Sequence, residues 1–123
     1  MGKQVLVIED EPNIIEAISF ILMRDGWSVA THSNGQDAMQ VIRACRPDLL
    51  ILDVMLPGRS GYDILTELRE DTDLGRLPVL MLTARGQAKD REMAEKAGVS
   101  RFMTKPFSNA EMLEALRQLV PEE

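Results

Sequence analysis

Apolar runs of strand length punctuate the chain at Val5–Ile8, Trp27–Ala30, Leu49–Leu52, Val79–Leu82 and Phe102–Met103. The first, third and fourth are apolar throughout, as strands covered on both faces must be. The second and fifth are weaker, which predicts places nearer the edges of a sheet. Helical spacing fills the intervals. Ile14, Ile15, Ile18, Ile21 and Leu22 share one helical face, and Met112, Leu113, Leu116, Leu119 and Val120 repeat the spacing. Ala38, Val41, Ile42 and Cys45 mark a third helix, with two more expected over Tyr62–Leu68 and Lys89–Ala97.

The punctuation agrees with these elements. Pro12 suits a first helical turn. Gly26 and Gly98 follow helices as C-cap glycines. Ser108 and Glu111 have the spacing of a capping box. Strand and helix alternate five times, which predicts an α/β fold: a doubly wound parallel sheet with helices on both faces. In such sheets ligands bind beyond the carboxyl ends of the strands.

Composition narrows the picture without changing it. A length of 123 residues fits a single domain over 1–123. The net charge of −6 makes the chain a poor partner for nucleic acid. Cys45, the one cysteine, has no internal disulfide partner, which suits a reducing interior. The short apolar run near the start is interrupted by acids too early for a signal peptide or a membrane span. A cytoplasmic location is expected.

Chemistry-bearing residues follow the apolar runs. Glu9, Asp10 and Glu11 come after the first, Asp53 after the third, Thr83 after the fourth and Lys105 after the fifth. If these ends converge, carboxylates, a hydroxyl and an ammonium share one pocket. Crowded carboxylates repel, and one protonates unless a cation is near. Mg²⁺ prefers oxygen ligands and keeps company with phosphate oxygens. An aspartate can attack phosphorus as a nucleophile. Lys105 and the Thr83 hydroxyl would then stabilise the transferring group.

The segments VLVIEDEP, PDLLILDVMLPGRSG, LPVLMLTA and RFMTKPF resemble the receiver domains of bacterial two-component response regulators, the chemotaxis regulators among them. The resemblance runs from about Val5 to Leu119. It implies a flavodoxin-like (βα)5 fold with strand order 2-1-3-4-5. It implies that Asp53 is the phosphoacceptor, in a Mg²⁺-dependent reaction, and that Glu9 and Asp10 form the acidic pair, with Asp10 a direct metal ligand. The Met55 backbone carbonyl would be a further ligand, Thr83 the switch hydroxyl, Lys105 the phosphate-binding lysine and Phe102 the switch aromatic. The implied donor is a histidine kinase or a histidine phosphotransfer protein. The implied reader is a downstream effector protein that meets the surface of the fourth helix, fifth strand and fifth helix. Such a protein is a phosphoacceptor that assists its own phosphorylation and dephosphorylation, rather than an enzyme with a separate substrate. The family also uses a cis bond before the proline, here Lys105–Pro106.

Each residue alone has an ordinary reading: a solvated acidic loop, a strand boundary, a helix cap, a surface lysine, a core aromatic. Their coincidence at one end of the sheet favours the site. A haloacid dehalogenase-type hydrolase would need a second aspartate two residues past the nucleophile, and the chain has Met55 there. A flavin carrier would need a phosphate-binding first loop, and EDEPN is acidic. A binding-only receiver would usually lack the acidic pair, the acceptor or the lysine. A receiver trimmed from a larger transcription regulator stays open beside a stand-alone one. His32 is expected at the surface after the second strand, Cys45 as packing, and Met55 and Met81 as candidates to line the site. Met55 and Arg85 are expected to flank the path of water to the phosphoryl group.

The segments LTARG, KDR and TKPFS also resemble winged-helix regulators, which pair through the fourth helix, fifth strand and fifth helix. Ser100 and Arg101 stand where that subfamily places acids, and Ala115 is aligned with its basic position in the last helix. Arg91 and Glu111 remain. A monomer is expected.

Overall fold

The computed structural model describes residues 3–84 and 88–121. Five strands alternate with five helices: β1 Gln4–Ile8, α1 Pro12–Arg24, β2 Ser28–His32, α2 Ala38–Cys45, β3 Leu49–Asp53, α3 Gly61–Arg69, β4 Val79–Thr83, α4 Ala88–Ala97, β5 Arg101–Thr104 and α5 Asn109–Leu119. The strands form one parallel sheet in the order β2-β1-β3-β4-β5. The two weak apolar runs are indeed the edges.

Strict alternation along the inner strands sorts side chains into two cores. Leu6, Ile8, Leu50, Leu52, Val79 and Met81 face α2, α3 and α4, where Ile42, Leu65 and Ala94 meet them. Val5, Val7, Leu49, Ile51, Leu80 and Leu82 face α1 and α5, where Ile18, Leu22, Met112 and Leu116 meet them. β3 and β4 are buried along their whole length. Fully burying one such aliphatic side chain contributes roughly 1.5–3 kcal/mol, so these twofold-covered strands anchor the ends where the polar residues sit.

The caps behave as expected. Pro12 opens α1. Gly26 and Gly98 have φ of 93° and 96°, the left-handed region that glycine enters without a Cβ penalty. Ser108 Oγ accepts from the Glu111 amide while Glu111 Oε1 accepts from the Ser108 amide. α2 ends on a residue the sequence does not mark: Arg46 takes a left-handed φ of 47°.

Several expected positions shift. Asp53 and Thr83 are the last residues of their strands, paired with Leu82 and Thr104, because the ladder outlasts the apolar run. His32 likewise belongs to β2, paired with Ile8, and its ring bonds Asp37 at 2.7 Å. Trp27 precedes β2 instead of opening it. Met81 lies in the core under α3 and α4 rather than along the site. Ala115 is fully buried in the other core, so it presents no surface position; the exposed basic residue of α5 is Arg117.

Candidate functional site: an acidic pocket at the carboxyl ends of the strands

The switch in strand order falls between β1 and β3, and both ends carry acids. Glu9 follows β1. Its amide donates to the His32 carbonyl at 2.9 Å, which extends the β1–β2 ladder by one residue and fixes the side chain in the interior. It is fully buried. Asp53 ends β3, and the Val54 amide donates to the Leu82 carbonyl at 2.9 Å, so β4 holds the strand end rigidly. Asp53 is buried too, while Asp10 is exposed at the mouth. Oxygens of Glu9, Asp10 and Asp53 all lie within 4.8 Å of one another.

Lys105 reaches this cluster from β5. Its amide donates to the Thr83 carbonyl at 2.8 Å, and the Lys105–Pro106 bond is cis. Its ammonium lies 2.7 Å from Glu9 Oε1, 3.4 Å from Asp53 Oδ1 and 3.7 Å from Glu11 Oε1. Burial alone would lower the lysine pKa; the contacts with Glu9, Asp53 and Glu11 outweigh it and raise the pKa. Asp53 is driven the other way from a usual carboxylate. Burial and the neighbouring Glu9 carboxylate push it up to about 7, against the opposing pull of Lys105.

One cation therefore serves several acids. Glu9 Oε1 is buried and makes no aligned hydrogen bond; its polar neighbour is the ammonium. A buried oxygen so placed, with two more carboxylates within reach, one of them the protonation-prone Asp53, makes a donor set that a hard divalent cation fits.

The loop after β3 closes tightly around the site. The Gly61 amide donates to the Val54 carbonyl at 2.9 Å, and a Cβ on Gly61 would stand 2.4 Å from the Asp53 carbonyl oxygen. Only glycine permits that approach. The Gly35 amide donates to the Pro57 carbonyl, which ties the loop before α2 to the same segment. Met55, in this loop, is exposed. Thr83 is buried at the end of β4, one residue beyond the partner of Asp53. Phe102 is set back from the mouth, paired with Met81 in the core, with the Arg91 guanidinium 5.2 Å from its ring centre. Arg85 lies outside the described residues.

The sequence brought Glu9, Asp10, Asp53, Thr83 and Lys105 to one pocket; the structure joins the three acids and the lysine and sets Thr83 at the neighbouring strand end. Two contributors carried no assigned role. Gly61 is signalled only by the turn-rich PGRSG, and Glu11 only by its place in the acidic triplet.

The family model for the response regulator receiver domain matches residues 5–117. The chain belongs to that family. It is 43% identical over 116 residues to the Mycobacterium tuberculosis protein named Probable transcriptional regulatory protein TcrX, covering 94% of this chain and 49% of that protein. It is 38% identical to the alkaline phosphatase synthesis transcriptional regulatory protein PhoP of Bacillus subtilis, covering 91% and 46%. The chain thus spans about half the length of these relatives. Among solved structures, the receiver domain of the sensor histidine kinase PA1611 from Pseudomonas aeruginosa superposes with a TM-score of 0.91 at 30% identity, covering 99% of this chain and 100% of that one. That structure carries a magnesium ion coordinated in its active-site cleft. No helix among the described residues is long and apolar enough to cross a membrane.

Proposed function

We propose that the chain accepts a phosphoryl group on Asp53 from a histidine kinase or a histidine phosphotransfer protein, with Mg²⁺ bound by Glu9, Asp10, Asp53 and the Met55 carbonyl. The observation that carries this reading is the juxtaposition of Asp53 with Lys105 at 3.4 Å inside the Glu9–Asp10–Asp53 set. A bound Mg²⁺ would neutralise the acids and offset charge on the phosphoryl oxygens. An Asp53 oxygen attacks phosphorus as the donor's nitrogen or acetate departs with the bonding pair. Lys105 attracts the anionic oxygens and Thr83 offers its hydroxyl. Phe102, beneath α4, would turn with Thr83 and alter the α4–β5–α5 face for a downstream protein. The domain spans 1–123, acts on itself and not on a separate substrate, and works in the cytoplasm as a monomer.

Labelling from radiolabelled acetyl phosphate tests this. Label should appear with Mg²⁺, vanish with a chelator and be abolished by Asp53→Asn, since an amide is no nucleophile. Undiminished labelling of that variant would overturn the assignment.

A further inference from the structure

Of the three carboxylates that touch Lys105, two lie inside the acidic pocket and one stands apart. Glu11 is exposed, its side chain 61% accessible, and it is not one of the acids clustered within 4.8 Å. Its backbone is nonetheless fixed. The amide donates to Glu9 Oε2 at 3.2 Å, and the carbonyl accepts from the Ile14 and Ile15 amides at the start of α1. Glu11 occupies the N-cap of α1, a position whose usual capping residues are Ser, Thr, Asp and Asn, so its longer side chain is free to reach elsewhere. It makes no capping bond, and its carboxylate lies 3.7 Å from the Lys105 ammonium instead.

A divalent cation among Glu9, Asp10 and Asp53 would repel Lys105 and compete for two of its partners. Among the described residues, Glu11 is the remaining carboxylate within 4.0 Å of the ammonium. We infer that Glu11 is a positioning residue for Lys105: it takes over the ammonium when the pocket fills with metal and keeps it at the mouth, where incoming phosphoryl oxygens arrive. The inference rests on the metal site proposed above. Without Glu11, the displaced lysine keeps no further carboxylate within 4.0 Å among the described residues, and metal binding becomes less favourable.

Mn²⁺ binding to the full chain, followed by electron paramagnetic resonance of the free ion, supplies the test. Glu11→Gln should raise the Mn²⁺ Kd roughly three-fold, the scale of an exposed ion pair, and the effect should disappear in a Lys105→Met background. An amine reagent, read by mass spectrometry, should modify Lys105 faster in Glu11→Gln than in the native chain when Mn²⁺ is bound, and equally in both when it is absent. An equal rise in Kd in both backgrounds would mean that Glu11 acts on the metal directly, and would overturn the inference. So would an unchanged Kd in Glu11→Gln. Failure of the native chain to bind Mn²⁺ at all would remove the metal site itself, and the inference with it.

Discussion

The guanidinium of Arg91 lies over the ring of Phe102, 5.2 Å from its centre, on the face where α4 meets β5. A cation over an aromatic face is attracted by the ring quadrupole, worth about 0.5–1 kcal/mol at an exposed site. Arg91 is therefore engaged within its own chain. Glu111, which could have met it across a dimer, closes the capping box of α5. Arg101 bonds Gln118, and Ser100 Oγ accepts from the Val79 amide and from Arg69. These residues serve the fold of one subunit. The expected outcome is a monomer in sedimentation runs with beryllofluoride and Mg²⁺. A tight dimer that Arg91→Ala abolishes would contradict it.

A proton and a divalent cation compete for the Asp53 carboxylate. With the Asp53 pKa near about 7 in the metal-free protein, about a tenth of the carboxyl is ionised at pH 6 and about nine-tenths at pH 8. The Mg²⁺ Kd should fall about ten-fold between those values, measured by calorimetry. The sign for stability runs with it. The folded pKa lies above the unfolded one, so the folded state holds the extra proton between about pH 4 and about 7. Metal-free stability from this group is greatest at the acid end of that window and is lost as pH rises through it. Saturating Mg²⁺ should reduce that loss. A Kd that does not change with pH would show Asp53 to be ionised throughout.

Gly61→Ala tests how closely the loop after β3 is fitted. The added Cβ would collide with the Asp53 carbonyl oxygen, a backbone atom that cannot rotate away. Overpacking of this kind costs about 1–3 kcal/mol. Urea unfolding should show a loss of that size, together with slower labelling by acetyl phosphate. Native stability with native labelling would mean the loop has slack.

Trp27 should be a silent reporter. It precedes β2 at the amino end of the sheet, and the pocket lies beyond the carboxyl ends. The five residues of β2 span roughly 16 Å. Its fluorescence should hardly respond to Mg²⁺; strong quenching would place the metal elsewhere.

The inner sheet was legible because β1, β3 and β4 are covered on both faces and so read as unbroken apolar runs. Their ends were legible only to within a residue. Asp53 and Thr83 are polar and close the hydrophobic pattern, yet their backbones stay in the ladder because hydrogen bonding ignores side-chain polarity. The same holds for His32 at the edge. Arg46 gives no sign of its left-handed cap, since most such positions hold glycine. Ala115 was aligned with a surface position, but its helical face carries Met112 and Leu116 into the core. At the site, residue types foretold a shared pocket. They did not foretell which acid takes the ammonium, because the closeness of Lys105 to Glu9 depends on how far each strand end projects.

The most direct measurement is the chemical location of the phosphoryl group. The protein is treated with acetyl phosphate and Mg²⁺ and reduced with borohydride, which converts an aspartyl phosphate to homoserine. Peptides are then sequenced by mass spectrometry. Homoserine at position 53, dependent on Mg²⁺ and absent at positions 10 and 48, is the predicted result. Homoserine at another aspartate, or unmodified Asp53 in protein that carries phosphate, would contradict the account.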